Sequence, residues 1–288
     1  MSIPKRLKRQ AGRYALVDGI PFRLPVNSEN TPALTVAFSI NAKKAEKLMP
    51  GNEIYPLRLW NKGLLVITVI DYRITDIGKY IEFSIAIACT HGAKRAPRLL
   101  PVIFKNHYGV GQYVFDLPVS SEISVKGGKG IWGMPKHQAN LNFIADDEKV
   151  SSQYDLDGQL AMKIEIDRPK KAWLSISMAA VNYCQFRGML MKSFIYMKGK
   201  IGISLFKRGS ARLTIGSHPR VQALKDLEIS SDPIFVGFLP HANGILDDHF
   251  ESWFLSYEDP PKEMPEGLES VVNLGLSEEW LKPPSASI

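Results

Sequence analysis

At 288 residues the chain can bury a core without covalent staples, and its two cysteines, Cys89 and Cys184, lie in unrelated segments with no C-x-x-C spacing, which excludes a disulfide framework and points to free thiols in a reducing compartment. The net charge of +7 favours anionic partners. Its lysines and arginines are scattered rather than gathered on one periodic face, so a small anionic substrate accounts for them as well as nucleic acid does.

In chain order, the opening stretch MSIPKRLKRQAGRYALV carries charge but lacks the apolar run of about 7–15 residues that a signal peptide needs, and reads as a basic arm over about residues 1–20. Nothing later approaches a spanning run of about 20 apolar residues, so the expectation is a soluble cytoplasmic protein with no membrane partner. Alternation with period two covers 34–40, 64–74, 80–89, 109–117, 138–144 and 160–166, each predicted as a strand. Between the first two, NAKKAEKLMP predicts a helix capped by Asn41 and stopped by Pro50. DDEKVSSQYDLDGQLAMKIEI predicts consecutive antiparallel strands joined at Asp157-Gly158, a pair that readily adopts positive φ. SHPRVQALKDLEI predicts a second helix, with Ser217 ahead of Pro219 in the first turn. The tail over 259–288, rich in proline, glycine and acidic residues, reads as an extension. The expected fold is mainly β (α+β): one domain over 1–288, a curved antiparallel sheet forming a barrel around an internal pocket, with a few peripheral helices.

Two segments carry chemistry. In GKGIWGMPKHQAN, Pro135 fixes its own φ and pushes Met134 into extended geometry, which gives Lys136 a defined direction. The plain alternative is a solvated surface lysine. Ile131, Trp132 and Met134 form an apolar surround, and burial lowers a lysine pKa by up to about 3–5 units; a neutral amine attacks ketones. Gly127, Gly128 and Gly130 are read as the turn before the lysine. In YIEFSIAI, Ile81, Phe83, Ile85 and Ile87 share one face and Tyr80, Glu82, Ser84 and Ala86 the other, a set that suits a cavity wall. The histidines show no ligand spacing, so no metal is expected. Tyr108, Tyr113 and Phe115 fall at strand spacing, which suits a core better than a nucleic-acid surface.

These segments resemble the acetoacetate decarboxylase family. Gly128, Met134, Pro135 and Lys136 match its glycine-led Pro-Lys motif, and GKYIEFSIAIAC is similar to its glutamate-bearing strand. PALTVAFSINAKKAEKLMP and SARLTIGSHPRVQALKDLEI look like its first strand and helix and its last. The resemblance implies a Schiff base on Lys136, an active-site role for Glu82, and a pocket at Trp132, Met134 and His137. It implies a lyase that needs no cofactor and decarboxylates a 3-oxo acid such as acetoacetate, working as a homo-oligomer with no nucleic-acid partner. Three positions depart from the family. His137 stands where a second lysine is typical, Ile67 where a second glutamate is, and Thr31 where an arginine is; Asp71 and Arg73, on the Ile67 face, are the polar groups nearest in register. Those departures leave two alternatives: aldol or dehydration chemistry on another keto acid, or a basic binding protein that kept the fold.

Overall fold

The computed structural model describes residues 4–257 and residue 259; the proline-rich extension otherwise lies outside the described residues. The basic arm is structured. Lys5–Gln10 forms α1, and Arg13–Val17 (β1) and Ile20–Leu24 (β2) form a hairpin. Leu7 is buried, and Arg6 pairs with Asp247 and Asp248, which ties α1 to the body. There follow β3 (Val26–Asn41), α2 (Ala42–Glu46), β4 (Ile54–Pro56), β5 (Lys62–Tyr72), β6 (Ile74–Thr75), β7 (Tyr80–His91), α3 (Leu100–Ile103) and β8 (Gly111–Val119). Next come α4 (Glu122–Trp132), β9 (Lys136–Gln138), β10 (Asn140–Leu141), β11 (Ile144–Ala145), β12 (Lys149–Leu156) and β13 (Gln159–Asp167). The chain continues through β14 (Leu174–Phe186), β15 (Met189–Leu205), β16 (Ala211–Ile215), α5 (Pro219–Gln222), a 3-10 turn (Ala223–Leu227) and β17 (Pro233–Phe254).

Seven strands close into a barrel in the order β7-β5-β3-β17-β15-β14-β8, with β8 pairing back to β7. The pairings are antiparallel except β14 with β8, and β9 adds to β8 in parallel because α4 carries the chain back between them. A smaller sheet, β10-β12-β13-β16, covers one side. Asn41 caps α2 by accepting from the amides of Lys43 and Lys44. Asp157 and Gly158, at φ 51° and 74°, make the tight turn between β12 and β13. At α5 the cap is the His218 side chain, not Ser217.

Period two sets which face of each barrel strand meets what. Leu34, Val36, Phe38 and Ile40 of β3, Leu65, Ile67 and Val69 of β5, and Phe83, Ile85 and Ile87 of β7 all face outward and pack on Val150, Tyr154, Met162, Ile164 and Ile166 of the smaller sheet. The main core therefore lies outside the barrel, and the barrel interior holds a cavity of about 430 Å³.

One carboxylate locks the two sheets together. A bulge between β7 and β8 places Asp116 opposite Ile85, buried to 1% exposure. Its oxygens receive Arg220 Nε of α5 at 2.7 Å and Tyr154 Oη of β12 at 3.2 Å, and His137 Nε2 of β9 lies 3.0 Å away. Burial beside Asp116 pushes the Tyr154 phenol up, so it stays a neutral donor. Removing the carboxylate strands three polar partners at a sheet interface. Asp116→Ala is expected to lower stability by about 3 kcal/mol, read by urea denaturation, whereas Asp116→Asn, which keeps two acceptor–donor contacts, should lose less.

Candidate active site

The segment leading to Lys136 is a helix where the sequence reading expected a glycine turn. Glu122–Trp132 is helical through Gly127, Gly128 and Gly130, despite a propensity cost of up to about 1 kcal/mol for each glycine. Packing overrides propensity at Gly128: a Cβ there would lie 2.2 Å from Lys136 Cδ, so only glycine leaves room for the lysine side chain to lie back across the helix. The turn itself is Gly133, at φ 62°, whose amide returns to the Lys129 carbonyl at 3.0 Å while that of Met134 returns to Gly128 at 3.1 Å. Pro135 follows, and β9 begins at Lys136, opposite Leu117.

Adjacent strand residues point to opposite faces, and β9 shows it. Lys136 turns inward with 2% exposure; its Nζ lies 2.7 Å from Glu82 Oε2, donates to Ser124 Oγ at 3.0 Å, and sits 5.3 Å from the centre of the Tyr80 ring. His137 turns outward, into the Asp116 cluster. Burial opposes charge on the amine, while the Glu82 carboxylate and the Tyr80 ring attract it.

Tyr80 is fully buried and stacked on Tyr72, with ring centres 4.5 Å apart. Desolvation, with the Glu82 carboxylate second, pushes its phenol well above the usual range, so it is a neutral O–H. That hydroxyl lies near those of Ser124 and Tyr72 without a hydrogen bond of normal geometry. The ring whose centre lies 5.3 Å from the amine thus carries a buried donor with no settled partner.

The cavity reaches this cluster through Glu82 and Met134, both of which line it. Lys136 itself stands behind Glu82 and is not among its lining residues, nor are Trp132 and His137, expected beside the substrate. Trp132 packs with Met134, Leu117 and Leu246 and donates its indole N–H to the Asp247 carbonyl at 2.6 Å, since the last turn of α4 aims it at β17. Ile67 also faces away, into the outer core, and the cavity positions of β5 are Val66, Thr68 and Ile70. Asp71 and Arg73 pair with each other at 2.9 Å and do not line the cavity. Among the described lining residues the charged groups are Glu82 and Lys105. No group of three or more His, Cys, Asp or Glu is arranged to hold a metal among the described residues.

Ser124 was missed by the sequence reading, which had placed Tyr80 on the cavity-wall face without giving it a part beside Lys136. Ser124 and Gly128 stand four apart, one helical turn, so they share a face; the spacing was present, but three glycines in four residues hid the helix.

Solved structures of similar fold include acetoacetate decarboxylase from Legionella pneumophila subsp. pneumophila str. Philadelphia 1, with TM-score 0.58 and 11% identity over 86% of this chain and 90% of that one. Another acetoacetate decarboxylase gives TM-score 0.60 and 15% identity over 81% and 90%. The enduracididine biosynthesis enzyme MppR, complexed with pyruvate, gives TM-score 0.53 and 10% identity over 79% and 90%. At such identities these likenesses establish the fold. No curated protein matches the chain in sequence. The family profile for acetoacetate decarboxylase matches residues 10–185, which take in Tyr80, Glu82, Ser124 and Lys136 as well as the barrel strands around them, and the chain therefore belongs to the acetoacetate decarboxylase family.

Proposed function

We propose that the protein is a lysine-imine enzyme that decarboxylates a 3-oxo acid without a cofactor. The observation that carries this reading is a buried amine paired with one carboxylate, Glu82, which lines an apolar cavity. Lys136 Nζ adds to the C3 carbonyl, water leaves, and an iminium forms. The C1–C2 bond then breaks, its electron pair passing into the iminium to give an enamine and carbon dioxide. Protonation at C2 and addition of water return the amine and release the ketone. In this reading Glu82 takes a proton from the Lys136 ammonium so that the neutral amine can add, and returns it to the departing oxygen as water leaves, while the Tyr80 and Ser124 hydroxyls hold that oxygen. An apolar cavity disfavours a carboxylate but not carbon dioxide, so desolvation works in the direction of cleavage.

Aldol or dehydration chemistry on the same imine is the second reading, supported by the likeness in fold to MppR complexed with pyruvate and by the lack of a cationic side chain other than Lys136 itself near Glu82 among the described cavity residues. Borohydride reduction in the presence of acetoacetate, and separately of pyruvate, followed by peptide mass analysis, separates the readings by which ketone leaves its adduct on Lys136. The expected result is an adduct from acetoacetate, with release of carbon dioxide before reduction. No adduct from either would end both readings.

Lys136→Ala and Lys136→Arg are both expected to abolish trapping, since a guanidinium forms no imine here. Glu82→Gln should retain binding and lose about a hundredfold or more in kcat, read by carbon dioxide release. Gly128→Ala would set a Cβ against the buried lysine and displace it from Glu82; the expected outcome is lower thermal stability together with a loss of about a hundredfold in imine formation.

A further inference from the structure

The cavity is far longer than acetoacetate. Glu82 and Ala88 both line it and stand six residues apart on β7, about 20 Å at about 3.3 Å per residue. Ala88 is opposite Gln112 of β8, which is opposite Asn182 of β14, and Lys105 lies at this same end, where its carbonyl accepts from Val110 at 2.9 Å. Glu82, the partner of the amine, is thus at one end and an exposed lysine at the other. A volume of about 430 Å³ is of the size that holds drug-sized ligands, about 300–1,000 Å³.

The wall between the two ends is apolar, with Ile70, Ile176, Ile195, Met197, Phe235 and Leu239 facing in. Its polar groups largely satisfy each other: Thr35 and Thr68 share a hydrogen bond of 3.1 Å, and Gln112 Nε2 donates to Asn182 Oδ1 at 2.7 Å. A polar ligand body would find few free partners along the way, whereas a hydrocarbon costs the wall nothing. The approach has the same character. Leu100, Val102, Ile103 and Phe104, the segment that runs into Lys105, are exposed.

We propose that the site takes 3-oxo acids with a long, unbranched apolar chain and releases the methyl ketone that is one carbon shorter. The proposal rests on the lysine-imine reading and adds the substrate class to it. The carboxyl and ketone lie at Glu82 and Lys136, and the chain runs along β7 toward Lys105. A four-carbon acid fills only the inner end.

The test compares acetoacetate, 3-oxooctanoate and 3-oxododecanoate, by carbon dioxide release and by borohydride trapping. Each methylene taken from water into the cavity should raise kcat/KM by about fourfold from acetoacetate to 3-oxooctanoate, with the value still high at 3-oxododecanoate. A flat or falling series, with an acetoacetate adduct on Lys136, would overturn the chain-length proposal and leave the lysine-imine reading standing. Absence of any adduct from all three would overturn both. Ala88→Phe, which narrows the far end, should lower the ratio of 3-oxododecanoate to acetoacetate kcat/KM at least tenfold; an unchanged ratio in a folded variant would overturn the proposed path of the chain. Should that variant fail to fold, the series on the parent protein decides alone.

Discussion

The packing of the small sheet on the outer face of β3, β5 and β7 is the interaction from which the rest follows. A closed barrel of seven strands has an interior of the size that side chains ordinarily fill, as in the smallest barrels. Here most of the bulky Leu, Ile, Val and Phe residues of these strands point outward, against Tyr154, Met162 and Ile164, and the interior receives Ala33, Thr35, Val66, Thr68, Ile70, Ser84 and Ala88. Stability is supplied outside the barrel, so the inside is free to hold a ligand. A cavity within a protein costs the packing that would have filled it, and the second core offsets that cost.

The short strand β9 joins these two regions. In consecutive residues it places Lys136 in the interior and His137 at the sheet interface, so the outer polar cluster around Asp116 fixes the backbone from which the amine projects. The positioning is reinforced from the other side by α4, whose Ser124 and Gly128 face the lysine along one helical turn, and by the left-handed Gly133 that turns the chain into Pro135. The lysine thus lies between a helix and a strand, and neither can shift without moving it. This is the kind of preorganisation that effective covalent catalysis requires.

The ion pair of Lys136 and Glu82 is buried on both sides, an arrangement whose desolvation cost is large and whose net contribution to stability is small or negative. Its place in the fold is explained by chemistry better than by stability. The carboxylate pairs with a buried amine, while Tyr80, kept neutral by burial, holds a hydroxyl with no fixed partner.

The sequence by itself determined four of the seven barrel strands, β3, β5, β7 and β8, because an alternating pattern has only one way to divide its apolar and polar residues between two faces; β14, β15 and β17 were not read from it, and the strand expected over 138–144 is broken into short pieces. The faces of β7, with Glu82 on the cavity side and Phe83, Ile85 and Ile87 in the core, were legible in this way, as were Asn41 as a cap and Asp157-Gly158 as a turn. The motif around Pro135 pointed to Lys136 as the residue with chemistry. Tertiary structure alone decided the rest. Whether Trp132 and His137 meet the cavity depended on the direction in which α4 and β9 leave it, and the arm of residues 5–24 is ordered by contacts with Asp247 and Asp248, far away in sequence. Helix α4 forms through its glycines because the lysine of the next strand lies against Gly128, a contact that no local propensity contains. Alternation tells which residues share a face; only the closing of the barrel, through pairing of β7 with β8, decides which face becomes the inside and how far apart along it Glu82 and Lys105 stand.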